Sequence, residues 1–243
     1  MIDSDNRNFK VFIDFDGTIT TTDVGEQMFL KFSDREYNLK AIAEWEDGKM
    51  SSSELWNKMC KATHDFDRTE FEKFLETIEI DEAFHKFVGY CSEHGHELFI
   101  VSDGFDYYIN RILAREGLSS IKTYSNKLSF DEEKKLLPSF PYTDSECHIC
   151  ANCKRNHVIS ESSDEEFSIY IGDGGSDKCP AQFVDFIFAK NTLLKFCEVN
   201  RITYFPYINF HNVIRKFEEL RNKKRLKKRH QAFLKRRDVY LQG

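Results

Sequence analysis

Short apolar runs mark the predicted strands of this chain. The run at 9–14 (FKVFID) is apolar at nearly every position, and the runs at 97–101 (ELFIV) and 167–171 (FSIYI) resemble it. Because apolar residues occupy both alternating sets of positions, these segments are typical of strands that are buried on both faces of a parallel sheet. Weaker runs at 185–189 and 203–205 predict two further strands.

Apolar residues between these strands recur at helical spacing. Ile109, Ile112 and Leu113 lie on one face of a predicted helix that ends at Gly117. Strands that alternate with helices indicate an α/β fold, in which crossover helices connect the strands of a parallel sheet.

Residues 23–94 follow a different pattern, because no central strand is evident among them. A short polar residue followed three positions later by Glu indicates a capped helix start. This pattern occurs at 23–26, 51–54 and 67–70, and it predicts three helices. We therefore expect a helical cap inserted after the first strand. The predicted plan is a catalytic core of residues 1–22 and 95–214, a cap of residues 23–94 and a helical tail of residues 215–243.

Charge is distributed unevenly along the chain. Residues 215–243 contain 12 Lys and Arg against 3 Asp and Glu, whereas the remainder contains 23 against 38. An acidic body does not suit a general nucleic-acid binder, so no nucleic-acid partner is expected. Two interpretations of the basic tail stay open. It is either a surface helix of a non-catalytic binding protein that engages RNA or an anionic membrane, or a solvated helix packed on the acidic body of the same chain or of a homodimer partner.

Length and composition suit one α/β domain with a smaller insert. The 243 residues are 40% hydrophobic and 31% charged, which is enough apolar material for a packed core. No apolar run approaches the roughly 20 residues of a transmembrane helix, and the N-terminus lacks the apolar stretch of a signal peptide. We expect a cytoplasmic protein whose seven cysteines are reduced thiols or metal ligands.

Polar clusters follow three of the predicted strands. Asp14 and Asp16 end the first, Ser102 follows the second, and Asp173 follows the third. In parallel sheets, ligands bind beyond the carboxyl ends of the strands. Asp14 and Asp16 point the same way in an extended segment, so their carboxylates repel unless a cation lies beside them. With Asp173 they form a set of oxygen ligands suited to Mg²⁺.

This set of residues can carry out phosphoryl transfer. One carboxylate would act as the nucleophile and the other as acid and base, while Ser102 and a lysine would neutralise the phosphoryl oxygens. The turns after the first two strands would present N–H donors to the phosphate. The candidate phosphate-binding residues are Gly17, Thr18, Asp103 and Gly104. Each of these motifs alone would be interpreted as an ordinary turn. Because all of them lie at the ends of predicted parallel strands, together they indicate phosphoryl transfer.

The motifs resemble those of the haloacid dehalogenase-like superfamily. DFDGTIT resembles its D-x-D-G-T motif, VSDG its second motif, and IGDGGSD its G-D-x-x-x-D motif, with Lys154 in the interval of the motif lysine. The resemblance spans residues 11–177. It implies a Rossmann-like three-layer core with a parallel sheet, and a cap inserted after the first strand as in the branch containing phosphoserine phosphatase.

The resemblance also implies a role for each site residue. Asp14 would attack phosphorus, and Asp16 would protonate the leaving oxygen and then activate water. Ser102 and Lys154 would hold the phosphoryl oxygens. Mg²⁺ would bind to Asp14, to the backbone carbonyl of Asp16 and to Asp173, with Asp177 supporting the site. The expected activity is Mg²⁺-dependent hydrolysis of a small phosphomonoester through an aspartyl-phosphate.

The substrate stays open at this stage. The cysteine-rich segment at 147–154 resembles two relatives: the methionine-salvage phosphatase for 2-hydroxy-3-keto-5-methylthiopentenyl-1-phosphate, and the phosphoethanolamine/phosphocholine phosphatase. A phosphoserine-type substrate is a further alternative. Asp23 and Glu26 either contact the substrate or cap the first cap helix.

The spacing of three cysteines suggests a second metal site. Cys147, Cys150 and Cys153, with His148, could hold a structural Zn²⁺ through three thiolates and one imidazole. The alternative is a tight loop of thiols without metal.

Overall fold

The computed structural model of the protein describes residues 7–147 and 149–242. Its strands are β1 (Phe9–Ile13), β2 (Glu97–Phe105), β3 (Lys122–Phe130), β4 (Leu136–Ser139), β5 (Phe167–Gly172), β6 (Phe186–Ala189) and β7 (Phe205–Pro206). Its helices are α1 (Val24–Phe32), α2 (Arg35–Glu46), α3 (Ser52–Ala62), α4 (Arg68–Leu75), α5 (Phe84–Glu93), α6 (Asp106–Arg115), α7 (Lys154–Glu161), α8 (Asn191–Val199), α9 (Phe210–Arg221) and α10 (His230–Gln242). A 3₁₀ turn spans Pro180–Phe183.

The strands form one seven-stranded sheet in the order β4-β3-β2-β1-β5-β6-β7. β1 lies between β2 and β5, and both pairings are parallel. Val11, Phe12 and Ile13 of β1 are fully buried, as expected of a strand that is covered on both faces. The predicted α/β fold with a mostly parallel sheet is therefore confirmed.

The hairpin of β3 and β4 was absent from the sequence-based prediction. Its strands pair antiparallel through residues 127–130 and 136–139. β3 (KTYSNKLSF) has few apolar residues and mixed burial, so it lacks the continuous apolar run that marks the other strands.

Backbone contacts divide the chain into two compact units. Unit 1 contains the described residues of Met1–Asp14, Ile80–Val101 and Lys154–Gly243, and unit 2 contains Phe15–Glu79 and the described residues of Ser102–Cys153. This division differs from the predicted plan in two ways. α5 falls in unit 1 rather than with the cap, and residues 15–22 and 102–153, which were predicted for the catalytic core, fall in unit 2 with the other cap helices.

Aromatic packing explains the position of α5. The rings of Phe84 and Phe87 in α5 lie 4.9 and 5.0 Å from the ring of Phe210 at the start of α9. All three residues are fully buried. The partner that fixes α5 is therefore more than 120 residues away along the chain, beyond the reach of local pattern analysis.

The basic C-terminal segment is part of unit 1 and packs against other residues of that unit. The predicted tail boundary at residue 215 lies inside α9, whose buried face includes Val213 and Phe217. In α10, Arg236 is 5% exposed and donates to the carbonyl of Phe183 at 2.6 Å. Arg229 donates to the carbonyl of Ala181 at 2.7 Å. These contacts agree with the interpretation of a helix packed on its own chain.

Among residues 7–147 and 149–242, no helix has both the length and the apolar character that a membrane-spanning helix requires.

A buried histidine gives unit 1 a pH-dependent stability. His96 is 7% exposed, and its ring lies 5.1 Å from Phe9 and 4.9 Å from Phe217. Neither ring nitrogen has a hydrogen-bond partner in the part of the chain that the structure describes. Burial, aided by the nearby His94 and Arg221, lowers the pKa of His96 to about 4.

We expect the protein to lose stability as the pH falls from 6.5 towards 4. The unfolded chain binds a proton at His96 near pH 6.5, whereas the folded chain resists it until about pH 4. Between pH 7.5 and pH 5, this residue should lower the free energy of unfolding by about 2 kcal/mol. Urea unfolding of wild type and His96→Phe at both pH values measures the difference. The same substitution at exposed His230 is the control, and an equal pH slope in wild type and His96→Phe would contradict the prediction.

Candidate active site

The first group of predicted site residues lies in unit 1, at the end of β1. Asp14 follows β1 directly, and its backbone N–H donates to the Ile171 carbonyl at 2.9 Å, which extends the pairing with β5. Asp14 is 5% exposed. The strand therefore delivers a carboxylate to a buried position at its carboxyl end.

Lys154 supplies the positive charge in this group. It begins α7, it is 1% exposed, and its Nζ donates at 2.7 Å to Oδ1 of Asp14 and at 2.7 Å to Oδ1 of Asp177. Burial by itself would lower the pKa of Lys154, but the two carboxylates outweigh burial and raise it. The lysine is therefore held as a buried cation between two aspartates.

Asp177 is fully buried and accepts four hydrogen bonds. Its Oδ1 accepts from Lys154 and from the Tyr170 hydroxyl, at 2.7 and 2.6 Å. Its Oδ2 accepts from the backbone N–H groups of Asp173 and Gly174, each at 2.9 Å. Burial opposes ionisation of this carboxyl, but Lys154 and the other donors prevail and lower its pKa. Its acceptor capacity is largely filled, which suits a supporting role.

Gly172 and Tyr170 complete the setting of Asp177. A Cβ on Gly172 would lie 2.4 Å from Oδ2 of Asp177, so only glycine leaves room for the carboxylate there. Sequence reasoning missed Tyr170, which looked like one more apolar residue of β5. A tyrosine inside a buried strand needs a partner for its hydroxyl, and that requirement was the available signal.

Three carboxylates converge in unit 1. Ligand oxygens of Asp14, Asp173 and Asp177 lie within 4.8 Å of one another. Burial, and next the charge of Asp177, raise the pKa of Asp14 well above its ordinary value. Three carboxylates against one lysine leave excess negative charge, which a hard cation would neutralise. The donor set therefore fits Mg²⁺.

The second group of predicted residues lies in unit 2 around Asp16. Oδ1 of Asp16 accepts from the backbone N–H groups of Val24 and Gly25, at 2.9 and 3.4 Å, at the start of α1. Oδ2 accepts from the Tyr108 hydroxyl at 2.6 Å and from Oγ of Ser102 at 3.4 Å. The structure thus brings Asp16 and Ser102 together, and it adds Tyr108, which the sequence analysis missed.

The predicted phosphate donors are engaged within their own turns. Gly17, with φ of 69°, donates to the Thr22 carbonyl at 3.2 Å, and Thr18 donates to the Phe15 carbonyl at 3.3 Å. The N–H of Gly104 donates to Oγ of Ser102 at 3.0 Å. These bonds fix the turns that carry Asp16 and Ser102, and phosphate contacts by these groups stay a prediction.

Asp103 has a placement that favours a structural role over phosphate binding. It is 9% exposed, and its carboxylate accepts from the backbone N–H of Asn152 at 2.7 Å. Its carbonyl accepts from Nε1 of Trp56 and Nδ2 of Asn126, at 2.9 and 2.6 Å. A carboxylate is also repelled by a phosphate. The side chain instead fixes the loop that contains Asn152.

Asp23 and Glu26 lie at the start of α1, where both are exposed. The side chain of Asp23 accepts from the Glu26 backbone N–H at 2.7 Å and so caps the helix. The capping interpretation therefore agrees with the structure, and the substrate role stays a prediction.

The cysteine segment does not form a metal site among the described residues. Cys147 and Cys150 are partly exposed and Cys153 is buried, and none is in a disulfide. In residues 7–147 and 149–242, the group of His, Cys, Asp and Glu side chains that converges on a metal position is the acidic one of unit 1. His148 lies outside the described residues, so the predicted Zn²⁺ site is unsupported.

Comparisons with known proteins agree with the motifs. A family model described as "Putative Phosphatase" matches residues 9–193. A phosphatase for 2-hydroxy-3-keto-5-methylthiopentenyl-1-phosphate from Bacillus mycoides (strain KBAB4) is 30% identical over 88% of this chain and 97% of its own. The protein of the same name from Lysinibacillus sphaericus (strain C3-41) is 32% identical over 86% of this chain and 94% of its own.

A solved structure has the same fold. A phosphoserine phosphatase, described as an analogue of the phospho-aspartyl intermediate, superposes with a TM-score of 0.68 at 16% identity. The match covers 87% of this chain and 99% of that chain. Because the family model matches about three quarters of the residues, the chain belongs to this phosphatase family.

Proposed function

We propose that the protein is a Mg²⁺-dependent phosphomonoester hydrolase that acts on a small phosphorylated metabolite through phosphorylation of Asp14. The observation that carries the proposal is the group of Asp14, Lys154 and Asp173. Asp14 follows β1 and Asp173 follows β5, while Lys154 begins α7; Asp14 and Lys154 are buried, and Asp173 is partly exposed. A candidate nucleophile, its counter-charge and a candidate metal ligand therefore lie close together. Asp14, Asp173 and the Asp16 carbonyl would hold the Mg²⁺. When bound, Mg²⁺ would neutralise charge on the phosphoryl oxygens.

The protein's own residues would carry out two displacements. First, an oxygen of Asp14 bonds to phosphorus while the ester P–O bond breaks and its electron pair stays on the leaving oxygen. Asp16 gives its proton to that oxygen. Second, Asp16 takes a proton from water, whose oxygen bonds to phosphorus as the Asp14–phosphorus bond breaks. Lys154 and Ser102 would offset the charge of the phosphoryl oxygens.

The substrate proposed first is 2-hydroxy-3-keto-5-methylthiopentenyl-1-phosphate. Two relatives that carry this activity in their names align with the chain over 94% and 97% of their lengths. At identities of 30% and 32%, this chain and its relatives can differ in the leaving group of the substrate. Phosphoethanolamine, phosphocholine and phosphoserine are therefore the alternatives. Seven cysteines without disulfides suit a reducing compartment such as the cytoplasm.

Phosphate release from a panel of esters tests the proposal. The panel contains the methylthiopentenyl phosphate, phosphoethanolamine, phosphocholine, phosphoserine and aryl phosphates, each with Mg²⁺ and with EDTA. We expect release that EDTA abolishes and that added Mg²⁺ restores, because Lys154 alone does not neutralise three carboxylates and a phosphate. The ester with the highest kcat/KM identifies the substrate class. Folded, Mg²⁺-supplied protein that releases no phosphate from any ester would refute the proposal.

A further inference from the structure

A buried tyrosine hydroxyl contacts the proposed acid and base of the reaction. Tyr108 lies in the first turn of α6, in unit 2, and it is fully buried. Its hydroxyl donates to Oδ2 of Asp16 at 2.6 Å. A hydrogen bond from a neutral hydroxyl to a carboxylate at this distance is in the short, strong range.

The backbone around the hydroxyl leaves space for it. A Cβ on Gly104 would lie 1.8 Å from the Tyr108 oxygen, and a Cβ on Gly25 would lie 3.0 Å from it. The same Gly104 Cβ would lie 2.6 Å from Oδ2 of Asp16. A phenylalanine would fill the aromatic position without burying a polar atom, so the hydroxyl is a cost to the fold unless it is hydrogen-bonded. Its bond to Asp16 meets that requirement.

The donors around Asp16 restrict its rotation. Val24 and Gly25 hold Oδ1 through backbone N–H groups at the start of α1. Ser102 lies 3.4 Å from Oδ2, which is long for a hydrogen bond between oxygens, whereas Tyr108 lies at 2.6 Å. Tyr108 is therefore a closer donor to the second oxygen of the carboxylate than Ser102 is.

We propose that Tyr108 is a positioning residue that orients the Asp16 carboxyl for proton transfer to the leaving oxygen. The inference rests on the proposed function, in which the Asp16 proton moves to that oxygen as the P–O bond breaks. In the first displacement, a misoriented acid slows the esters whose leaving oxygen needs the proton. The second displacement starts from the same phosphorylated Asp14 for every ester, so it does not depend on the leaving group. Departure of 4-nitrophenolate needs the proton little, because that anion is already stable, whereas departure of phenolate or 4-methoxyphenolate needs it more.

A leaving-group series of aryl phosphates tests the inference on the full chain with Mg²⁺. The series contains 4-nitrophenyl, phenyl and 4-methoxyphenyl phosphate, which differ little in size. We expect Tyr108→Phe to lower kcat/KM, which reports the steps up to departure of the aryl group, about 10-fold or more for the two poor leaving groups and less than about 3-fold for 4-nitrophenyl phosphate, since general acid catalysis contributes about 10²–10⁴-fold. Asp16→Asn should give the same pattern with larger losses.

Tyr170→Phe is the matched control. Tyr170 is also a fully buried tyrosine, and its hydroxyl also donates at 2.6 Å to an aspartate, but that aspartate is Asp177 of the acidic group. Loss of the Tyr170 hydroxyl should raise the Mg²⁺ concentration that gives half-maximal activity. It should slow the hydrolysis of all three aryl phosphates by the same factor. Gly25→Ala, which crowds the Tyr108 hydroxyl, is a second variant in case Tyr108→Phe does not fold. It should show the leaving-group pattern in a weaker form.

The outcomes separate the inference from the proposed function. If wild type hydrolyses the series and Tyr108→Phe lowers kcat/KM for all three esters equally or for none of them, the inference is overturned and the phosphatase stands. The same holds if Tyr108→Phe does not fold and Gly25→Ala shows no dependence on the leaving group. If wild type releases no phosphate from this series or from the metabolite panel, the proposed function itself fails.

Discussion

Asp14→Asn should abolish phosphate release and leave the protein folded. The amide cannot form the aspartyl-phosphate, so we expect kcat to fall by about 10⁴-fold or more, as for other enzymes that lose their nucleophile. The fold should tolerate the change, because Asn has nearly the same shape and its amide oxygen can still accept from Lys154. Burial and the Asp177 charge already disfavour the ionised form of Asp14, so a neutral side chain relieves repulsion.

Two measurements with one control decide this prediction. Steady-state phosphate release gives the loss of turnover, and urea unfolding gives the stability, which should stay within about 1 kcal/mol of wild type. Asp34→Asn is the control, because Asp34 caps α2 and asparagine caps helices as well. It should keep wild-type turnover. If Asp14→Asn were as active as wild type, phosphorylation of Asp14 would not lie on the reaction path.

The sequence placed Asp14 and Asp173 at the ends of two predicted strands, but it did not give the strand order. Asp14 and Asp173 follow continuous apolar runs, and the carboxyl ends of parallel strands lie at one edge of a sheet. Their convergence follows from the strand order alone, since β1 and β5 are neighbours. Lys154 needed the family resemblance, because a lysine at a helix start is ordinary in sequence. Its full burial between two carboxylates appears only in the fold.

Tyr108 and Tyr170 could not be assigned from the sequence. Both occupy positions where an apolar residue is expected, one on a buried helix face and one in a buried strand. Their function depends on which carboxylate each hydroxyl reaches, and the partner of Tyr108 is 92 residues away. The hydrogen bond of Asp103 was hidden for the same reason, since its carboxylate accepts from a backbone N–H 49 residues further along the chain. Phosphate binding by Asp103 stays a prediction.

Lys154→Met should strongly destabilise the protein in the absence of metal. The substitution keeps much of the side-chain volume but leaves the carboxylates of Asp14 and Asp177 buried without their cation. Loss of one partner from a buried ion pair lowers the free energy of unfolding by about 3–5 kcal/mol. Urea unfolding in EDTA at pH 7.5 measures the loss. Lys73→Met is the control, because Lys73 pairs with Glu70 at an exposed position and should unfold like wild type.

Added Mg²⁺ distinguishes a charge effect from a packing effect in this variant. If Lys154 stabilises the fold by neutralising the carboxylates, a cation bound by Asp14 and Asp173 should replace part of that charge. The stability difference between wild type and Lys154→Met should then be smaller in Mg²⁺ than in EDTA. It should also shrink below pH 5, because the unpaired carboxylates become protonated. A difference that is the same in EDTA, in Mg²⁺ and at low pH would mean that the lysine acts through its methylene chain. Activity should remain low even in Mg²⁺, because the metal restores charge to the carboxylates and leaves the phosphoryl oxygens without the Lys154 ammonium.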